Sequence, residues 1–396
     1  MDKYYKYIPQ VFFLAGLLII PFFYLPNSPV PFEVPKVWFF NRWVEVIVIS
    51  GLIFSAPTMK KNKLDTLLVI LLTLFLSTTL LTSLMGVDIQ KSFLGNYYRS
   101  DGLLTLFHLA SLFFFVVLFV KDKWIRPILI SISVSAIGIS FWVLVDAFRF
   151  YMLNNVSIYN WEGALAVSFG NPNFLSGFLL VSLPLTAYLI YVEKKKYYYL
   201  GLVVQISAML LTFARAGIFG ILIFFSLWYF ISKKVKPAII VLAVIVFILT
   251  ATYVFRNDTM YESGVLVSES RQRIYTKGYM AFLKRPITGW GWANFDYAFD
   301  SIDWPLRVEN DVYVDKAHSV LLEVLVSSGL LGLAFYLAFI GRSIKILKSR
   351  KNVISKYLLM SLVLFLFHSQ INVISVSEEI IFWIITGVSA KRSLFR

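Results

Sequence analysis

The chain has 396 residues, of which 59% are hydrophobic and only 15% charged, with a formal net charge of +15 and no cysteine. A soluble globular protein is nearer half apolar and a quarter charged, so this composition is that of an integral membrane protein. Its long uninterrupted apolar runs exclude an outer-membrane β-barrel, and the missing cysteines exclude disulfides, thiolate metal sites and cysteine catalysis. The excess of Lys and Arg, which in a soluble protein would point to nucleic acid, reads here as charge that orients membrane spans, and no nucleic-acid partner is expected.

Apolar runs of roughly 17–25 residues mark membrane helices. In chain order they predict twelve spans, at 7–25, 37–57, 64–85, 103–120, 124–148, 171–192, 198–213, 215–232, 237–255, 317–341, 355–373 and 376–391. The first lacks a small-residue cleavage site and is followed by many more, so it reads as a span and not a removable signal. The connections alternate in charge. Lys3/Lys6, Lys60/Lys61/Lys63, Lys121/Lys123/Arg126, Lys194–Lys196, Lys233/Lys234/Lys236, the run Arg342 to Lys356, and Lys391/Arg392/Arg396 fall on one side, 23 of the 37 Lys and Arg. The positive-inside rule makes that side cytoplasmic, with both termini inside.

The opposite side holds the loops 86–102, 149–170 and 256–316. The last has 61 residues, with 8 Lys/Arg and 9 Asp/Glu, too long for a simple connector and so functional in expectation. The organisation expected is one polytopic membrane domain, 1–396, with 256–316 as an external, partly helical subdomain. No internal repeat or linker divides it.

Within that loop "SESRQRIYTKG" (268–278) is unexpectedly basic. Projected at 100° per residue, 270–284 gathers Ile274, Tyr275, Gly278, Ala281 and Phe282 on one face with Arg271 in its middle. Arg273, Lys277 and Lys284 fall on the other side and read as a solvated stripe. An inward guanidinium needs an anionic partner. For Arg271 that is either a loop acid, Glu269 or Asp315, or a ligand.

Other polar residues stand at the same side of the predicted bundle. Arg215 in "TFARAG" (212–217) sits at the turn between spans seven and eight, where snorkelling to the interface competes with ligand binding. Arg99 in "GNYYRSDGLLT" (95–105) precedes span four, either as an interfacial anchor or as part of a site. His318 in "KAHSVLLEVLVSSGLLG" (316–332) opens span ten as a cap or a catalytic group. Glu323 follows inside an apolar span, where a carboxylate is costly and usually functional. His368 in "FLFHSQINVIS" (365–375) lies near the end of span eleven. Asn171 and Asn173 flank Pro172 at the start of span six, an arrangement that suits backbone capping. Arginine recognises phosphate oxygens in a planar, bidentate fashion. A histidine titrating near neutrality accepts a proton from a hydroxyl. Together these groups suit a phosphate-containing lipid substrate and a proton-accepting step. No paired acidic motif accompanies them, so no metal or other cofactor is expected.

These stretches resemble the superfamily of O-antigen ligases and O-antigen polymerases, membrane glycosyltransferases. "SRQRIYTKGYMAFLKRPITGWGWANF" (270–295) is similar to its arginine, aromatic, Pro-x-x-Gly-x-Gly, Phe pattern and places Arg271, Pro286, Gly289, Gly291 and Phe295. "AHSVLLEVLVSSGLLG" (317–332) resembles its His-Asn helix, with Ser319 where Asn is usual, a departure that puts the acceptor geometry in question. "TFARAG", "GNPNFLSG" and "GNYYRSDGLLT" look similar as well.

The resemblance implies an all-α, GT-C-like integral membrane fold of about twelve helices with a long periplasmic loop between helices nine and ten. It implies a cell inner (cytoplasmic) membrane protein with its active site facing the periplasm. It further implies metal-independent, inverting transfer from an undecaprenyl-diphosphate-linked glycan donor. Arg215 and Arg271 would hold the diphosphate and His318 would act as general base on the acceptor hydroxyl. Arg99, Glu323, His368 and Asn173 are secondary candidates. The acceptor would be lipid A-core or another glycolipid (ligase), a second lipid-linked repeat unit (polymerase) or a protein. A transporter or flippase of lipid-linked oligosaccharide is the reading from another class. It would show polar sites at mid-membrane and matched halves, neither of which is seen in the sequence.

Overall fold

The computed structural model describes residues 5, 7–55, 64–153, 160–161, 164–232, 260–262, 265–304 and 312–391. Its helices are α1 (Ile8–Ile19), α2 (Glu33–Phe54), α3 (Thr66–Leu84), the short α4 (Ile89–Leu94), α5 (Leu103–Phe119), α6 (Ile125–Leu153), α7 (Pro172–Glu193), α8 (Lys196–Leu211) and α9 (Arg215–Ser232), then α10 (Arg271–Lys284), α11 (Phe295–Asp300), α12 (Val320–Ser349), α13 (Val353–His368) and α14 (Val376–Ala390). Two small antiparallel hairpins pair Asn160–Trp161 with Ala164–Leu165 and Met260–Glu262 with Val265–Ser268. Eleven of the twelve expected segments coincide with helices, and the ninth, 237–255, lies outside the described residues. Five helices, α2, α3, α6, α7 and α12, are long and apolar enough to cross a membrane. A further five, α1, α5, α8, α9 and α13, are apolar over shorter lengths.

Side-chain caps set several helix starts. Asp65 accepts from the Leu68 amide, Asn171 from Asn173 ahead of Pro172 at the first helical position, and Ser375 from Glu378. Each satisfies a backbone donor that the first helical turn leaves open. Helices α7 and α14 are buried on nearly all sides. Helix α7 packs against α6, α8, α9, α13 and α14, and α14 packs against α2, α5 and α12. One end of the bundle is tied by Arg342 to Asp65 (Nη2 to Oδ2, 2.6 Å) and by Arg350 donating to the Ser389 carbonyl at 2.9 Å.

The other end carries α4, α10 and α11, held to the bundle at a break in α12. Gly329 has φ of +66°, which interrupts the helix and frees the carbonyls of the turn before it. Trp290 N donates to Val326 O and Gly291 N to Ser327 O, each at 3.0 Å, and Leu330 N donates to Pro286 O at 2.9 Å. The Pro-x-x-Gly-x-Gly turn therefore completes the hydrogen bonding that the broken helix gives up. Gly289, at φ of +62°, lies so close that a Cβ there would stand 2.3 Å from Ser327 O. Its glycine identity follows from both the conformation and the approach.

The face expected for 270–284 is corrected here. Arg273 and Lys277 are buried, at 5% and 1% exposure, while Arg271 is only partly buried. Arg273 pairs with Glu269 and donates to Trp304 O at 3.2 Å. Lys277 stands over the Phe299 ring at 3.8 Å. The cause is a second cover. Helix α10 packs on α12 with one face and on α11 with the other, so a projection that allows a single buried face misassigns it.

Candidate active site

A cavity of about 100 Å³, partly open, lies where this end of the bundle meets the start of α12. Its polar lining comprises Glu33, Arg99, Asp101, Thr105, Lys316, His318, Ser319, Glu323, Asn372 and Glu379, with Trp292 and aliphatic side chains completing the wall. Glu33 opens α2, Arg99 and Asp101 lie in the turn before α5, and 316–318 forms the turn into α12. Asn372 and Glu379 come from the α13–α14 connection and the first turn of α14.

His318 is held in an unusual backbone conformation, with φ of +51°. For a non-glycine residue this is strained by about 1–3 kcal/mol and persists only where the surroundings impose it. Here they do. Ser319 caps α12 and donates to Gln370 Oε1 at 2.9 Å, Val320 N donates to Ser369 O at 2.8 Å, and the Tyr275 hydroxyl donates to the His318 carbonyl at 3.4 Å. The imidazole makes no hydrogen bond to the described protein, and its Nδ1 is buried. A ring on the cavity wall with both nitrogens unused is poised to exchange a proton with a ligand.

Glu323 explains how the turn is fixed. Its Oε2 accepts from the Ala317 amide at 2.8 Å and its Oε1 from Lys316 at 3.2 Å. Lys316 also pairs with Asp101 at 2.5 Å. Burial disfavours the charged form of Asp101, but Lys316 and then Arg99 outweigh it and hold the carboxyl below its ordinary value. Burial likewise works to discharge Lys316, yet Asp101 and Glu323 keep its ammonium above the usual lysine range. Arg99 is engaged by Asp315 (Nε to Oδ2, 2.5 Å) and reaches the face of Phe174 at the start of α7, 5.4 Å away. The Asn96–Asp101 turn is closed by Asn96 N donating to Asp101 Oδ1 at 3.2 Å and by Trp292 Nε1 donating to Asp101 O at 2.9 Å.

Of the residues singled out in the sequence, His318, Arg99 and Glu323 line this cavity, and Arg215, Arg271, His368 and Asn173 do not. Arg271 stands one turn from Tyr275. Burial raises the Tyr275 phenol and the Arg271 cation partly offsets it, and that phenol reaches His318. Arg215 and Asn173 start α9 and α7, which touch where Gly217 meets Ser176. Of the two acids expected as partners for Arg271, Asp315 pairs with Arg99 and Glu269 pairs with Arg273. His368 is fully buried behind the cavity, bonded through Nδ1 to Glu378 (3.0 Å) and through Nε2 to Asn372 Nδ2 (3.2 Å). Glu33, Asp101, Lys316, Asn372 and Glu379 were not singled out. Carboxylates inside apolar runs, at 33 and 378–379, are the signal that marks them.

A family model described as O-Antigen ligase matches residues 200–337. That segment holds Arg215, Arg271, His318 and Glu323, whereas Arg99, Asn173 and His368 lie outside it. Among curated proteins nothing matches the chain. The apolar helices make this a multi-pass membrane protein, and its segment 200–337 is similar to the O-antigen ligase family.

Proposed function

We propose that the chain is an O-antigen ligase-type glycosyltransferase. It moves a glycan from undecaprenyl diphosphate to a lipid A-core acceptor, without a metal and with inversion, at the periplasmic face of the inner membrane. Both termini lie in the cytoplasm. The observation that carries the reading is His318, an imidazole on a cavity wall without a hydrogen bond among the described residues, inside the segment that matches the ligase family. As general base it takes the proton of the acceptor hydroxyl while that oxygen attacks the anomeric carbon and the lipid diphosphate leaves. Arg271 and Arg215 are proposed to neutralise the leaving diphosphate, and neither lines the cavity itself. The donor diphosphate accordingly approaches from the α10 side and the acceptor occupies the cavity.

The test is reconstitution of the full chain in liposomes with purified lipid-linked glycan. One preparation receives lipid A-core and another receives only further lipid-linked units. Glycan on lipid A-core supports the ligase, elongated lipid-linked glycan assigns the polymerase instead, and lipid movement without a new glycosidic bond overturns the enzyme reading. His318→Ala is expected to retain donor binding and lose transfer.

A further inference from the structure

The cavity beside His318 contains more hydrogen-bonding capacity than the protein uses. Arg99 is committed to Asp315, and Lys316 to Asp101 and Glu323. What remains on the wall is a set of oxygen groups. Glu33 is 7% exposed and accepts from the Val376 amide at 2.6 Å through Oε1, but its Oε2 is buried with no partner. Lys36, one turn along α2, is directed elsewhere, donating to Ser168 O at 3.1 Å over the Phe169 ring. The Glu379 carboxyl makes no hydrogen bond and no ion pair among the described residues, and it lines the same cavity.

Asn372 is the third group, and its orientation is set from behind. Its Nδ2 meets His368 Nε2, and an amide nitrogen meets a ring nitrogen as donor. That leaves Nδ1 as the protonated nitrogen, donating to Glu378. With Nδ2 so engaged, Asn372 has its amide oxygen to offer to the cavity. Glu378 and His368, both wholly buried, are positioning residues for that oxygen.

A buried carboxyl oxygen without a partner is costly, and Glu33 Oε2, with the Glu379 carboxyl and the Asn372 amide oxygen beside it on the wall, calls for a ligand rich in donors. Resting on the acceptor site proposed above, we infer that the cavity is a saccharide subsite in which Glu33, Asn372 and Glu379 bind the ring hydroxyls of the acceptor sugar next to His318. The space of about 100 Å³ is partly open, so it receives one hydroxyl-bearing face of a sugar ring while the rest of the ring stays outside. The two cations on the wall, Arg99 and Lys316, are already paired with Asp315, Asp101 and Glu323, so an anionic sugar finds no open cationic partner among them. The subsite takes a neutral or amino-bearing sugar and rejects an acidic one.

The detergent-solubilised full chain is titrated with methyl glucoside, methyl glucosaminide and methyl glucuronide, and contact is read by saturation-transfer NMR. The neutral and amino glycosides are expected to bind and the glucuronide to fail. Glu379→Gln and Asn372→Ala are expected to weaken the neutral glycoside about tenfold each, the loss of roughly one hydrogen bond. Glu379 bonds to nothing in the described protein, so its variant keeps the fold. Glu378→Leu is expected to raise the acceptor KM while leaving kcat at saturating acceptor unchanged. Equal binding of the glucuronide, no binding of any glycoside, or no effect of Glu379→Gln overturns the subsite. Glycoside binding that survives while reconstituted transfer fails retains the subsite and removes the ligase reading.

Discussion

Replacing Glu323 tests whether the turn that carries His318 is held from one side chain. In Glu323→Ala the Ala317 amide loses its carboxylate acceptor at 2.8 Å, and Lys316 keeps its 2.5 Å pairing with Asp101. The net loss is therefore about one charge-assisted hydrogen bond, roughly 1.5–3 kcal/mol. That matches the approximately 1–3 kcal/mol needed to hold a non-glycine residue at positive φ, so His318 relaxes into other backbone states. By the rule that 1.4 kcal/mol is tenfold, transfer should fall about 10–100-fold in kcat with donor KM unchanged. Glu323→Gln retains a side-chain oxygen for the amide and is expected to lose only a few-fold. Single-turnover transfer in liposomes, with the thermal midpoint measured in parallel, reads both. Wild-type kcat in Glu323→Ala, or equal loss in both variants, would refute the tether.

Arg273→Ala removes the buried ion pair to Glu269, and a loss of about 3–5 kcal/mol is expected, measured as a lowered midpoint in thermal unfolding. Gly289→Ala forces a Cβ against Ser327 O at a backbone angle that disfavours it, so 286–291 should become sensitive to limited proteolysis. Folded Asp101 lies below its ordinary value. Its stabilisation is thus present above the unfolded carboxylate range near pH 4 and is lost as pH falls through the folded value. Lys316 lies above its ordinary value, so its stabilisation is present below about pH 10.4 and is lost as pH rises through the folded value. Thermal midpoints should accordingly show a constant stabilising contribution from this pair between about pH 5 and 9, one that falls off outside that window in wild type but is missing throughout in Asp101→Asn/Lys316→Met. Transfer should persist in EDTA, as a metal-independent reaction requires, and loss that added magnesium restores would count against it.

Most of the bundle is legible because each span carries its own apolar length. The site is legible only where one residue is anomalous in its own stretch. His318 and Glu323 announce themselves at the edge of an apolar helix, and Arg99 in a Gly-bounded turn. Asp101 and Lys316 are unremarkable locally and meet only when α5 and α12 pack, so no periodicity shows them. Helix α10 was misread for a related reason. A wheel projection counts one partner surface, while α11, only six residues long, covers the other face. It is this cover that buries Arg273 and Lys277.

The break at Gly329 has a consequence for how such a chain tolerates change. At that break the outer subdomain is joined to the bundle through backbone groups, amides of 290 and 291 to carbonyls of 326 and 327. Such a joint places no demand on side chains beyond the glycines that let the two backbones approach. The exposed side chains of α10 and α11 are therefore free to drift in sequence while Trp292 keeps its place on the cavity wall. A lineage can re-tailor the outer surface without rebuilding the cavity beneath it.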